Sequence, residues 1–228
     1  MFAIRLGEDQ GPRNGIAPRL VLRYVAQMVS EVVPTARKLM LPLLAVHPEV
    51  AKSFLFGLTG QFTAPAEADF NGQGAVFVHF EPAAGNEAAL RSSLAIADGL
   101  VVLLRHLDAA SLETARARLA ELSAANLPRV FVVARAAVEH ELKIGCPACA
   151  QKLRVEHAEA GRTARCPRCE FTFRIPRAEA LLRSGLTLAA EVPVSAAILG
   201  QPESCRAAVQ PLLDVLRRAR PASVAVSV

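Results

Sequence analysis

Four of the five cysteines fall in two Cys-x-x-Cys pairs, Cys146-Pro-Ala-Cys149 and Cys166-Pro-Arg-Cys169, with sixteen residues between them. Two residues between thiols let a tight turn aim both sulfurs at one point. The sixteen-residue spacer is long enough for a hairpin that brings the second pair opposite the first. Four soft ligands then close a tetrahedron, which is the donor set of a structural Zn2+ site. The same residues also admit redox dithiols, since Cys-Pro-x-Cys turns occur in thiol oxidoreductases, or disulfides. Duplication at this spacing favours the metal. We therefore expect one zinc ion on Cys146, Cys149, Cys166 and Cys169, with no open coordination position for water or substrate and hence no metal catalysis.

An internal repeat supports this reading. CPACAQKLRV, from Cys146 to Val155, aligns without gaps on CPRCEFTFRI, from Cys166 to Ile175. Each copy is a knuckle followed by an alternating strand, with Leu153, Val155, Phe173 and Ile175 expected on one face. These residues, from Ile144 to Pro176, resemble the short bacterial zinc-ribbon module of the finger or thioredoxin-like type. The resemblance implies a zinc-stabilised fold and no activity.

The formal charge of +5 is concentrated in the same region. From Lys143 to Arg177 there are eight basic residues and three acidic ones, so the rest of the chain is neutral. Part of this basic character offsets the net negative charge of a four-thiolate zinc centre. The other reading is a contact surface for nucleic acid or an acidic protein, using Lys152, Arg154, Arg165, Arg168 and Arg174. His140 and His157 are surplus to a complete ligand set, and Cys205 is expected to be a small buried apolar residue.

Outside this segment the chain reads as strands alternating with helices. GAVFVHF (Gly74 to Phe80), LVVLLRH (Leu100 to His106) and RVFVVAR (Arg129 to Arg135) are apolar almost throughout, as strands buried on both faces of a parallel sheet are. Helices are expected over Asn86–Ala97 and over Ser111–Ala125, the latter capped by Asp108 or Ser111. After the cysteine segment come a short helix at Ala178–Arg183, a strand at Glu191–Ser195 and a closing helix from Pro202 to about Arg220. Near the start, Phe2–Leu6 reads as a strand and Ile16–Val33 as a helix. Leu39–Phe56 reads as a helical or mixed stretch broken by Pro42 and Pro48. The fold class is thus α/β, a layered and mostly parallel sheet flanked by helices, with a small β-hairpin zinc ribbon inserted. The expected division is 1–141 and 178–228 for the α/β domain and 142–177 for the ribbon. Val224–Val228 reads either as an addition to a sheet edge or as a loose apolar tail.

The order of elements resembles a small Ras-like GTPase of the bacterial gliding-motility kind, and the resemblance places the family's motifs on this chain. Gly7–Gly11 stands for the phosphate loop, Pro82 and Gly85 for the ends of the DxxG turn, Ala134–Ala137 for the base-reading NKxD and Ser195-Ala196 for the late SA turn. A phosphate loop needs GxxxxGK[ST], and at Gly7–Gly11 neither the Lys nor the hydroxyl is present. The Asp of DxxG and the NKxD residues are missing as well, which leaves only an anion contact at Arg13. His79, Glu81 and His106 are the polar residues expected to converge at a sheet end. With no GxSxG, HExxH or paired-carboxylate motif, no enzymatic activity is expected.

The expected function is a non-catalytic, zinc-binding interaction or regulatory scaffold with a protein partner. Nucleic acid is the alternative partner, a divergent nucleotide switch the second alternative, and no membrane role is expected. Loss of zinc is expected to unfold the ribbon locally. Apolar runs such as Leu39–Val46 fall short of the roughly 20 residues that span a bilayer. Glu8 and Asp9 interrupt the place of a secretory signal, so a cytoplasmic location is expected.

Overall fold

The computed structural model describes residues 37–79, 87–121 and 127–219, all within one compact unit. The strand Phe2–Leu6, the helix Ile16–Val33, the stretch Gly7–Gly11, Arg13, Glu81, Pro82, Gly85 and Val224–Val228 lie outside these residues.

Six strands form a mixed, mostly parallel sheet: β1 (Leu39–Ala45), β2 (Ala66–Phe70), β3 (Gln73–His79), β4 (Leu100–Leu104), β5 (Arg129–Arg135) and β10 (Val194–Ile198). Their spatial order is β10-β5-β4-β1-β3-β2, with β2 alone antiparallel to its neighbour. Five helices flank the sheet: α1 (Pro48–Thr59), α2 (Glu87–Ala95), α3 (Ala109–Glu121), α4 (Ala178–Gly185) and α5 (Pro202–Ala219). The fold is α/β, as its apolar strands indicate.

Of the two readings of Leu39–Phe56, helical or mixed, the structure has the mixed one: the central strand β1 runs into α1, and Pro42 does not break it. Met40 exchanges hydrogen bonds with Asp98, its N–H donating to Oδ2 at 2.9 Å and its carbonyl accepting from the Asp98 N–H at 3.0 Å. By alternation Pro42 presents its nitrogen to the same side. The β1–β4 ladder begins one residue later, at Leu43 opposite Val101, so the missing N–H costs no ladder bond. Pro48 opens α1, where a proline lacks only a donor the helix would leave unused.

Strand β2 went unread in the sequence. It forms a hairpin with β3 across Asn71-Gly72, both at positive φ (56° and 84°), and the Gly72 N–H donates to Asp69 Oδ1 at 2.8 Å. The strand expected at Glu191–Ser195 begins later, at Val194, immediately after Pro193. The alternative caps of α3 resolve to Asp108, whose Oδ1 accepts from the Ser111 N–H at 2.9 Å. That bond is the main reason the Asp108 carboxyl lies below its ordinary value. A lowered carboxylate pKa stabilises the fold above the unfolded value and loses that contribution as pH falls through the folded one. Asp108→Ala should therefore cost about 1 kcal/mol in urea denaturation at neutral pH, with the gap to wild type closing as pH falls below the ordinary carboxylate range.

Two apolar cores sit on the two faces of the sheet. One holds Leu39, Leu41, Leu43 and Phe77 under α1 and α5; the other holds Leu100, Val102, Leu104, Phe131 and Val133 under α3 and α4. In the first core α1 and α5 meet at Gly57, where a Cβ would lie 2.5 Å from Cys205 Sγ. Gly57→Ala should destabilise by about 1–3 kcal/mol, and Cys205→Ala in the same chain should recover most of that by making room. Equal stabilities for the single and double variants in urea would contradict this packing.

Candidate metal centre

Between β5 and α4 the chain forms two small two-stranded sheets. β6 (Glu141–Gly145) pairs with β7 (Lys152–Glu156), and β8 (Thr163–Arg165) pairs with β9 (Thr172–Arg174). Each pair is joined by one cysteine knuckle, so each repeat has a strand before its knuckle as well as after it.

The two knuckles have the same backbone. The Cys146 N–H donates to the Gln151 carbonyl and the Ala150 N–H to the Cys146 carbonyl, both at 2.9 Å. The Cys166 N–H to Phe171 carbonyl and Glu170 N–H to Cys166 carbonyl bonds repeat this at 2.9 Å. Ala150 and Glu170 occupy the same left-handed position, at φ 57° and 61°. The sequence repeat is therefore a repeat of backbone geometry.

This geometry brings all four sulfurs within 4.8 Å of one another, so they could hold one metal ion. Cys146 and Cys169 Sγ are 3.6 Å apart, and Cys149 and Cys166 Sγ 3.7 Å. A regular tetrahedron with metal–sulfur bonds of ~2.3 Å has edges of ~3.8 Å, so these separations fit a four-thiolate ion of that size. They are far longer than the roughly 2.05 Å of a disulfide, and all four are free thiols.

Burial is graded, with Cys146 and Cys166 buried, Cys149 intermediate and Cys169 exposed. The backbone N–H of Cys169 is the strongest influence on Cys166 and, with that of Arg168, outweighs burial to hold the thiol at about 6. At Cys169 the Phe171 N–H favours the thiolate. Burial and hydrogen bonds with Cys149, Cys146 and Cys166 outweigh it and push the thiol up to about 12. Protons leave such a cluster stepwise, and a bound cation displaces those that remain.

The other sequence candidates lie elsewhere. The His157 N–H donates to the His140 carbonyl at 2.7 Å and closes the base of the β6–β7 hairpin, and neither ring joins the sulfur cluster. Cys205 is fully buried on α5, and that burial raises its thiol to about 11. At the carboxyl end of the sheet the ring contact is between His47 and His106, 5.7 Å apart and edge to face, with His47 unforeseen. His79 ends β3. Arg105, half-buried, donates to Glu139 Oε1 through Nε (3.0 Å) and Nη2 (2.5 Å). Burial disfavours the Glu139 carboxylate, but Arg105 and the Ala136 N–H together hold its pKa below the ordinary value.

The parallel strand at the centre of the sheet is β1, and the residues that follow it read Val46-His-Pro-Glu-Val-Ala-Lys-Ser53. Set beside the phosphate-loop pattern GxxxxGK[ST], this stretch has Lys52 and Ser53 in register, with Val46 and Ala51 at the two glycine positions. Only Val46 and His47 separate β1 from α1, so Lys52 stands ~6 Å along the helix from its first residue.

The chain matches no protein-family model and no curated protein. Among solved structures, a crystal structure of a mutation variant of SsGBP is similar with a TM-score of 0.47 and 10% sequence identity. It covers 90% of this chain, and this chain spans 64% of that one. No helix among the described residues is long and apolar enough to cross a membrane.

Proposed function

We propose that this protein is a non-catalytic interaction or regulatory scaffold that carries one structural zinc ion and does not turn over nucleotide. The observation that carries the zinc reading is the four-sulfur cluster, with edges of 3.6 and 3.7 Å and soft ligands only. That donor set suits zinc and leaves no coordination position for a reacting water. Cys146, Cys149, Cys166 and Cys169 would hold the ion, which would contribute folding energy rather than chemistry.

The segment after β1 supports the second half of the reading. A phosphate cradle needs a glycine-rich loop whose backbone N–H groups turn inward. Here Pro48 to Val50 are already helical, with the Val50 N–H donating to the His47 carbonyl at 3.0 Å. The branched side chain of Val46 stands where the first glycine would bend.

Native mass spectrometry of protein purified without added metal or nucleotide is expected to show one zinc and no nucleotide. Adding GTP or ATP with magnesium should leave the melting temperature unchanged. A tightly bound nucleotide would raise it by about 5 °C or more. Such a rise, or a copurifying GDP, would contradict the scaffold reading.

A further inference from the structure

We infer that the outward face of the β6–β7 hairpin, together with Phe171, docks single-stranded nucleic acid. The inference rests on the metal-stabilised ribbon proposed above.

Pairing register defines the face. Leu142 and Ile144 are buried and lie opposite Val155 and Leu153, so Glu141, Lys143, Gly145, Lys152, Arg154 and Glu156 point outward. Lys143 is directly opposite Arg154, and Gly145 opposite Lys152. Three cations thus gather at the metal end of the hairpin, while Glu141 and Glu156 face each other at the far end. Open space lies above Gly145, where an added Cβ would meet nothing within 4 Å, so an oxyanion could approach the backbone between the cations.

The structure redistributes the basic residues nominated from sequence. Arg165 donates to Glu170 twice, from Nη2 to Oε2 at 2.5 Å and from Nε to the carbonyl at 3.2 Å, and Arg174 Nε donates to the Gly161 carbonyl at 2.7 Å. The side chains of Lys143, Lys152 and Arg168 form no ion pair or hydrogen bond among the described residues. Arg154 reaches Glu141 only at 3.5 Å, with both side chains more than half exposed, a pairing that a phosphate can displace.

An acidic protein would also suit this charge, but Phe171 favours a nucleic acid. Phe171 is 47% exposed, on the second knuckle. Cys169, two residues before it, has its sulfur 3.6 Å from that of Cys146, the residue that follows Gly145. The exposed ring and the cations therefore share the metal end of the ribbon. Cations that hold phosphates and an exposed aromatic ring on which a base can stack are how unpaired strands are held without sequence preference.

The test uses the full-length, metal-loaded protein and a short fluorescent single-stranded oligonucleotide, titrated by anisotropy across a salt series. Three to four phosphate contacts predict a log–log salt slope of about −2 to −3. Lys143→Gln with Lys152→Gln should make that slope shallower by about 1.4. Phe171→Ala should weaken binding by about tenfold with the slope unchanged, and Phe171→Tyr should restore it. Native mass spectra showing one metal in each variant keep folding out of the result. Absence of binding at low salt by metal-loaded protein would overturn the inference and leave the scaffold reading standing. Equal affinity for polyglutamate with no effect of Phe171→Ala would overturn it in favour of an acidic protein partner. Absence of metal from the purified protein would instead strike the reading on which the inference rests.

Discussion

Cys146→Ser or Cys166→Ser, or exhaustive chelation, is expected to melt the α/β sheet together with the ribbon in a single transition. Read from sequence, the cysteine segment is a detachable insert whose loss would be local. The packing argues against that. Leu142 and Ile144 of β6 and Ile175, just after β9, are buried in the same core as Leu104, Phe131 and Val133 of the sheet, and Leu182 of α4 completes it. Val155, Leu153, Ala164 and Phe173 pack against that core from the ribbon side. The ribbon therefore covers part of one sheet face, as a crossover helix would in an ordinary parallel α/β unit. Structural zinc in small modules contributes an apparent 10–16 kcal/mol, against a typical domain stability of about 5–15 kcal/mol. Removing it should leave the second core open to water. In far-UV circular dichroism the apo protein or either serine variant should lose helix as well as strand signal at temperatures where the holo protein is intact. The buried ligands Cys146 and Cys166 should be less tolerant of Ser than the exposed Cys169, where water can replace a lost sulfur. A ribbon that melts alone, with an unchanged transition for the rest, would show that the two are energetically separate.

How much of this was legible in the sequence depended on whether a local signal stood alone. The four-sulfur cluster was legible because Cys-x-x-Cys spacing fixes sulfur placement almost regardless of context, and the two knuckles have the same hydrogen bonding. β3, β4 and β5 were legible as short apolar runs between polar breaks. β1 was not, because Pro42 and Pro48 read as breaks, and only the sheet shows that Pro42 sits just ahead of the ladder with β4. Asn71-Gly72 is a strong hairpin signal, but the mixed polarity of Ala66–Phe70 masks the strand β2 that it turns back from. β6 and β8 were less legible because they precede the cysteines and lie outside the ten-residue repeat.

Phe131→Ala and Phe77→Ala form a pair that separates the two cores, since both rings are fully buried but on opposite faces of the sheet. Each truncation should cost about 3–5 kcal/mol of stability, a large share of the total. Their effects on the metal should differ. Phe131 lies in the core that the ribbon strands enter, so the cavity left by its ring loosens Ile144 and Ile175, which hold β6 and β9 in place. Phe77 lies under α1 and α5, in a core that includes no ribbon residue. In a chelator competition at a temperature where both variants remain folded, Phe131→Ala should bind zinc about tenfold more weakly than Phe77→Ala, equivalent to about 1.4 kcal/mol of lost coupling. Equal zinc affinities would mean that the knuckles are rigid enough to hold their sulfurs without support from the sheet. The metal would then stabilise only the two hairpins that carry it.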